Sequence, residues 1–241
     1  MLRENVSLEN NLSFGIVGNC KSAALINHYG SIVWCCLPNF DSPSIFAHVL
    51  DDDIGGIFKI IIDDSYSVIQ KYSGNTSILI TNFSNNENEF EIIDFMPRYQ
   101  RENGSFYSPP EIIRIFKHIN GKPKFKILYD PRLEYSNGVT NSYIKERFIV
   151  SVIDHENHDT LYLYTSFNKK KFLNQPEIVL EKNHFVNISY HEKIKYFDID
   201  EALFEFDKTK VYWRNWCSKT PKYKLYNDEI LRSAITLKLL T

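Results

Sequence analysis

Between residues 15 and 50 the sequence gathers four side chains of unlike chemistry: Lys21, Trp34, Phe40 and Asp41. A cation and a carboxylate bind sugar hydroxyls by charge-assisted hydrogen bonds, and an aromatic face stacks on a pyranose ring. The same residues also have a purely structural reading. Trp34 and Phe40 would then sit in a core, Asp41 would form a turn with Ser42-Pro43, and Lys21 would point to solvent. Other sets promise less. His155-Glu156-Asn157-His158 offers two imidazoles in a turn between strands with no third ligand nearby, so it reads as a solvated turn and no metal is expected. Gly15-Ile16-Val17-Gly18 lacks the third glycine and the following helix of a dinucleotide fingerprint, and no cofactor is expected. Lys169-Lys170-Lys171 beside Phe172 reads as an exposed loop, because a nucleic-acid patch needs more charge around it. Trp213 and Trp216 share one helical face, a spacing suited to sealing a domain boundary. Asp130-Pro131-Arg132 reads as a strand-end turn with a local ion pair. No nucleophile, metal or paired-acid constellation emerges.

The elements that must carry these residues are mostly strands. In 124–129 Phe125, Ile127 and Tyr129 alternate with lysines, the period of a half-buried strand. The preceding run, 112–119, connects to it through Asn120-Gly121-Lys122-Pro123, and Asn-Gly predicts a hairpin. Further strands are predicted at 56–63, 77–83, 89–95, 145–153, 160–166, 177–181 and 185–190, with turn-rich pieces between them. This pattern predicts a mainly β fold, a large antiparallel sandwich of two packed sheets. Near Asp200 the period changes. Val211, Tyr212 and Trp216 fall at helical spacing within 207–217, and Asn227-Asp228-Glu229 can cap a second helix with an apolar face of Ile230, Ala234, Leu237 and Leu240 or its neighbours. One or two helices therefore follow the sandwich. An uncovered face on the second would seek a partner, and self-association is one way to cover it.

The 241 residues suffice for one large β domain or two smaller units, with 43% hydrophobic and 15% aromatic residues to fill a core. Lys plus Arg number 28 against 30 for Asp plus Glu, a net charge of -2, so no bulk field favours nucleic acid or anionic lipid. The amino-terminal residues lack the apolar core of a signal peptide, and no apolar run is long enough to span a bilayer, which predicts a cytoplasmic protein. Cys20, Cys35, Cys36 and Cys217 are accordingly expected to be reduced and mostly buried. The Asn187-Ile188-Ser189 triplet is expected to carry no glycan.

A set of short motifs resembles one known family. They are Gly18-Asn19-Cys20, Ala23-Ala24-Leu25, Gly30-Ser31-Ile32, Trp34, Cys36-Leu37-Pro38, Phe40-Asp41-Ser42-Pro43, Leu50-Asp51-Asp52-Asp53 with Gly55-Gly56, Asp94-Phe95-Met96-Pro97, Asp130-Pro131-Arg132, Trp213-Arg214-Asn215-Trp216 and Arg232-Ser233-Ala234. In this order and spacing they resemble the amino end of bacterial glucoamylase- and trehalase-like proteins, glycoside hydrolase family fifteen. Two positions depart from the family pattern: Val33 stands where an aspartate is usual and Asn39 where an arginine is usual. The resemblance implies a β-sandwich domain over residues 1–205 and, over 206–241, a linker helix and the first helix of an (α/α) barrel. The rest of that barrel has no counterpart in these residues. Inverting hydrolysis of an α-glucosidic bond uses two carboxyl groups about 6.5–9.5 Å apart. The family carries both in the barrel, so no catalytic residue is assigned to this chain. The resemblance also implies that Lys21, Trp34, Phe40 and Asp41 face the sugar pocket or the barrel. Two readings result: a structural domain whose partner is the helical-barrel catalytic domain of the same polypeptide, or a self-sufficient module that binds an α-glucan, trehalose or a protein.

Overall fold

The structure is a computed structural model and describes residues 13–153 and 159–241; the His155-Glu156-Asn157-His158 turn lies outside them. The strands are β1 Gly15–Gly18, β2 Ala23–Ile26, β3 Ile32–Cys36, β4 Ser44–Phe46, β5 Ile57–Ile61, β6 Ser67–Tyr72, β7 Leu79–Ser84, β8 Glu89–Phe95 and β9 Tyr99–Gln100. They continue as β10 Phe106–Tyr107, β11 Glu111–Asn120, β12 Lys124–Asp130, β13 Thr140–Ile144, β14 Ile149–Ile153, β15 Thr160–Thr165, β16 Ile178–Val179 and β17 His184–Tyr190. The helices are α1 Lys169–Asn174, α2 Ile199–Ser218 and α3 Asn227–Leu239. One sheet runs β1-β2-β3-β5-β12-β16 with β4 on β3, the other β13-β14-β15-β17-β11-β8-β7-β6, and β9 and β10 form a separate hairpin. All pairings are antiparallel. The mainly β sandwich is as the alternation predicts.

The two layers meet through aromatics. Leu79, Thr81 and Phe83 of β7 are buried while the residues between them are half-exposed, and Phe125, Ile127 and Tyr129 of β12 point inward with the lysines outward. Phe90 stacks on Phe83 at 4.6 Å within one sheet and on Phe125 of the other at 5.1 Å. Each such ring contributes about 1.5–3 kcal/mol by leaving water. One charged pair lies in this core. Arg114 of β11 faces Asp94 of β8 at 2.7 Å with both side chains fully buried, and its guanidinium covers the Phe58 ring of the opposite sheet at 4.6 Å.

Four local readings need correction. The Asn120-Gly121 turn makes no hairpin, since β11 pairs with β8 and β17 whereas β12 pairs with β5 and β16. Asn-Gly supplied a tight turn, with Gly121 at φ +69°, but the turn passes the chain from one sheet to the other. The strand expected over 145–153 is shorter, and β13 precedes it. Lys169-Lys170-Lys171 opens the helix α1, whose end is capped by the Asn168 side chain and which is anchored by buried Phe172. The apolar face of α3 that packs is Leu231, Ile235 and Leu239, while Ile230, Leu237 and Leu240 remain exposed.

Helix α2 starts at Ile199, where the Asp198 carboxylate accepts from the Glu201 N–H, and acids in its first turn suit the helix dipole. Residues 205 and 206 therefore lie inside one continuous helix. Ala202 and Phe206 pack on the outer face of the second sheet against Phe95, Ile113 and Ile115. Further along, Trp213 is fully buried and meets Trp216 edge-on at 6.2 Å, and both join Leu231, Ile235 and Leu239 of α3. This cluster seals α3 against β1 and β2.

Candidate functional site

The β1–β2 turn is built on Asn19, whose buried side chain accepts from the Lys21 and Ser22 N–H groups at 3.2 Å and donates to Pro109 O at 2.8 Å. Cys20 takes a left-handed φ of +64° in this turn. The Ser22 hydroxyl donates to Cys36 O, so this turn and the one after β3 leave the same end of the first sheet. The four residues singled out in the sequence thus belong to three neighbouring strands and their turns. Lys21 is exposed at the tip of the first turn, Trp34 is half-buried on β3 opposite Leu25, and Asp41 is exposed. Phe40 is 39% exposed and is not a core residue. Its turn is closed by Ser42 N–H to Asn39 O at 3.2 Å, so Asp41 and Ser42 form the turn that the structural reading gives them. Tyr135 donates to Ser42 O at 3.3 Å and Ser136 to Ile54 O at 2.6 Å, which ties a second and third loop to this end. Glu134, Tyr135 and Ser136 all have left-handed φ, a strained run that holds Tyr135 outward at 57% exposure.

Beside the Asn19 turn Arg98 forms a hub. It is 7% exposed, and its Nη1 donates to Asn19 O at 2.7 Å and Ser108 Oγ at 2.8 Å, its Nε to the Tyr212 hydroxyl at 2.9 Å. Its guanidinium lies 4.7 Å from the Phe106 ring centre and 5.2 Å from that of Tyr212. A groove of about 590 Å³ opens here between β9–β10, α2 and the end of α3. The Cys20 thiol donates to Lys238 O at 3.1 Å, and burial pushes its pKa up in spite of Arg98 and Lys238 nearby.

Under α2 lies a buried polar network. Glu111 is 5% exposed and accepts from Asn187 Nδ2 at 2.9 Å; burial pushes its carboxyl up to about 7. Asn187 Oδ1 and Glu205 Oε2 are buried with no hydrogen-bond partner. Glu205 pairs with Lys208 and accepts from Tyr99 at 3.2 Å, and burial raises its pKa as well. Arg132 and Asp130 form the expected ion pair at 3.0 Å. Asp51, Asp52 and Asp53 bring carboxylates within 4.8 Å of one another, all exposed, and Asp51 already accepts from the Asp53 and Ile54 N–H groups as an ordinary turn. All four cysteines are free thiols, with Cys35 and Cys36 buried.

The family described as trehalase-like, N-terminal, matches residues 7–154, more than half of the chain. The chain belongs to this family. The trehalase-like domain is 27% identical to a trehalase of Thermoplasma volcanium over 245 residues, 94% of this chain and 37% of that protein. It is 29% identical to a trehalase of Thermoplasma acidophilum over 224 residues, 90% and 38% of the two chains, and 23% identical to one from Mycolicibacterium smegmatis over 251 residues, 95% and 37%. The trehalase-like domain thus spans little more than a third of the length of these relatives. No solved structure matches it. Among its described residues no helix is long and apolar enough to cross a membrane. Arg98 and Glu111 were not singled out in the sequence, because their partners Asn19, Tyr212 and Asn187 lie 79, 114 and 76 positions away.

Proposed function

We propose that this chain is the non-catalytic amino-terminal domain of a trehalase-like glycoside hydrolase, which seats and helps shape a helical-barrel catalytic domain of the same polypeptide. The observation that carries the reading is the two-sided helix α3. Leu231, Ile235 and Leu239 bury one stripe in the sandwich, while Ile230, Leu237 and Leu240 leave a second stripe 37%, 66% and 48% exposed. A helix apolar on both sides suits a position between two packed bodies. The relatives, named trehalases, extend well beyond the matched region. The end of the first sheet offers a further exposed apolar set, Phe40, Leu50, Ile54 and Tyr135, on the loops tied to the turn of Asp41. In this reading Lys21, Trp34, Phe40 and Asp41 line the contact with the barrel or its sugar pocket, and the barrel supplies both catalytic carboxyls for inverting hydrolysis of an α-glucosidic bond.

The test is glucose release from trehalose and from maltooligosaccharides by the 241-residue chain, alongside the same chain extended through the coding region that follows. Activity confined to the extended protein, with one β-glucose and one α-glucose released from each trehalose, is expected. Turnover by the short chain, or an α-glucose product alone, overturns the reading.

A further inference from the structure

The groove at Arg98 has a charge balance that the fold itself does not explain. Arg98 is more than nine-tenths buried, yet all of its hydrogen bonds go to neutral acceptors, the Asn19 carbonyl and the Ser108 and Tyr212 hydroxyls, and its Nη2 has no acceptor among the described residues. Burying a cation without an anion is costly, and the π faces of Phe106 and Tyr212 offset only part of that cost. Two more cations line the same groove, Lys219 and Lys238, and neither has a carboxylate partner among the described residues. Arg98 donates to the Asn19 carbonyl and the thiol of the next residue, Cys20, donates to the Lys238 carbonyl, so both cations flank the same β1–β2 turn. Lys208, the fourth cation, is already committed to Glu205 and Tyr99.

The remaining lining has a different character. Phe106 is 50% exposed and Trp216 half-buried, so both leave aromatic surface open to the groove, and Gln100, Asn215 and Asp207 add amides and a carboxylate. Asp207 and Lys219 are twelve residues apart on α2, about 18 Å along its axis, so the acid does not sit at the Lys219 end. Aromatic faces with amides and an acid recognise a sugar ring and its hydroxyls, and clustered cations recognise a compact oxyanion.

We propose that this groove binds a phosphorylated sugar, with the phosphate against Arg98, Lys219 and Lys238 and the ring against Phe106 and Trp216. The site lies wholly within this chain and stands or falls apart from the docking of a downstream domain. Calorimetric titration of the 241-residue protein at low salt with glucose-6-phosphate, glucose and inorganic phosphate tests it. Glucose-6-phosphate gives saturable heat at millimolar concentration and binds at least about tenfold more tightly than either of the other two. Lys219→Gln with Lys238→Gln weakens it about tenfold with an unchanged melting temperature. Phe106→Ala erases the advantage over inorganic phosphate. The proposal is overturned if glucose-6-phosphate gives no saturable heat, if inorganic phosphate binds as tightly, or if the lysine double variant keeps its affinity.

Discussion

Arg98 Nε donates to the Tyr212 hydroxyl at 2.9 Å across 114 positions of sequence, and by this bond the strand-end segment after β8 grips α2. The same guanidinium reaches the β1–β2 turn through Asn19 O. Helix α2 is therefore held by a charged fastening at Tyr212, beside Trp213 packed on α3, as well as by Ala202 on the second sheet near its start.

Tyr212→Phe keeps the ring that the guanidinium covers and removes only the acceptor. A charge-assisted hydrogen bond is lost and a buried donor is orphaned, so stability falls by about 1–3 kcal/mol. Urea unfolding followed by tryptophan fluorescence reads this, with an unchanged slope if the compactness of both states is preserved. A loss below about 0.5 kcal/mol would show that water replaces the hydroxyl and that the fastening is dispensable.

Glu111 gives the domain a pH dependence of unusual sign. Its carboxyl, about 7 in the fold against 4.5 in the open chain, holds its proton more tightly when folded. Stability from this group is complete below pH 4.5 and is lost as pH rises through 7, on the order of 3 kcal/mol in all. Burial is the main reason; Glu205 of α2 and Glu192 after β17 oppose a further negative charge, while the hydrogen bond from Asn187 works the other way by favouring the carboxylate. The Asn187 Oδ1 has no partner, so a protonated Glu111 completes an acid–amide pair. Glu205, raised by burial, acts in the same direction. Glu111→Gln supplies the missing N–H at every pH. Melting temperatures from pH 5 to 8 are expected to fall for the parent and to flatten in the variant; an equal fall in both would place the dependence elsewhere.

The reach of sequence reasoning follows from the range of the forces involved. Alternation placed β12 almost to the residue, because one buried face forces period two. It could not say that the Asn120-Gly121 turn changes sheets, since turn chemistry fixes φ and says nothing about which partner the next strand finds. In α3 the residues Ile230, Leu231, Ile235, Leu237 and Leu239 cover two stripes, and periodicity alone does not choose the one that packs first. The Lys21, Phe40 and Asp41 turns were visible because their residues are contiguous in sequence. Arg98 was not, since its meaning comes from Asn19, Phe106 and Tyr212 together.

Asp94 and Arg114 predict a large effect of breaking a buried pair. Asp94→Asn leaves the guanidinium fully buried without its counter-charge and costs about 3–5 kcal/mol. Asp94→Leu with Arg114→Met replaces charge by packing and recovers most of that loss, because the core around Phe58 and Phe116 is otherwise apolar. Thermal unfolding of the two variants compares them directly. A double variant as unstable as the single one would mean that the Arg114 contact with Gly30 O is indispensable for holding the sheets together.

The two faces of α3 make a paired test of which stripe the sandwich uses. Leu239 is fully buried, and its Cδ2 lies where a Cβ on Gly18 would approach to 2.6 Å, with Ser22 O equally close. The glycine is thus the notch in β1 into which α3 settles, and no larger residue fits without moving the helix or the hairpin. Leu239→Ala empties the notch and costs about 2–4 kcal/mol. Gly18→Ala fills it from the other side and costs about 1–3 kcal/mol by overpacking. Leu237, 66% exposed, should tolerate Glu with a change within about 0.5 kcal/mol in the isolated chain. In the extended protein the same Leu237→Glu places a charge in the proposed contact with the downstream domain and is expected to lower its melting temperature or its trehalose turnover. Equal, small effects of Leu237→Glu in both lengths would remove this stripe from any interface, and the exposed leucine would be left as ordinary surface.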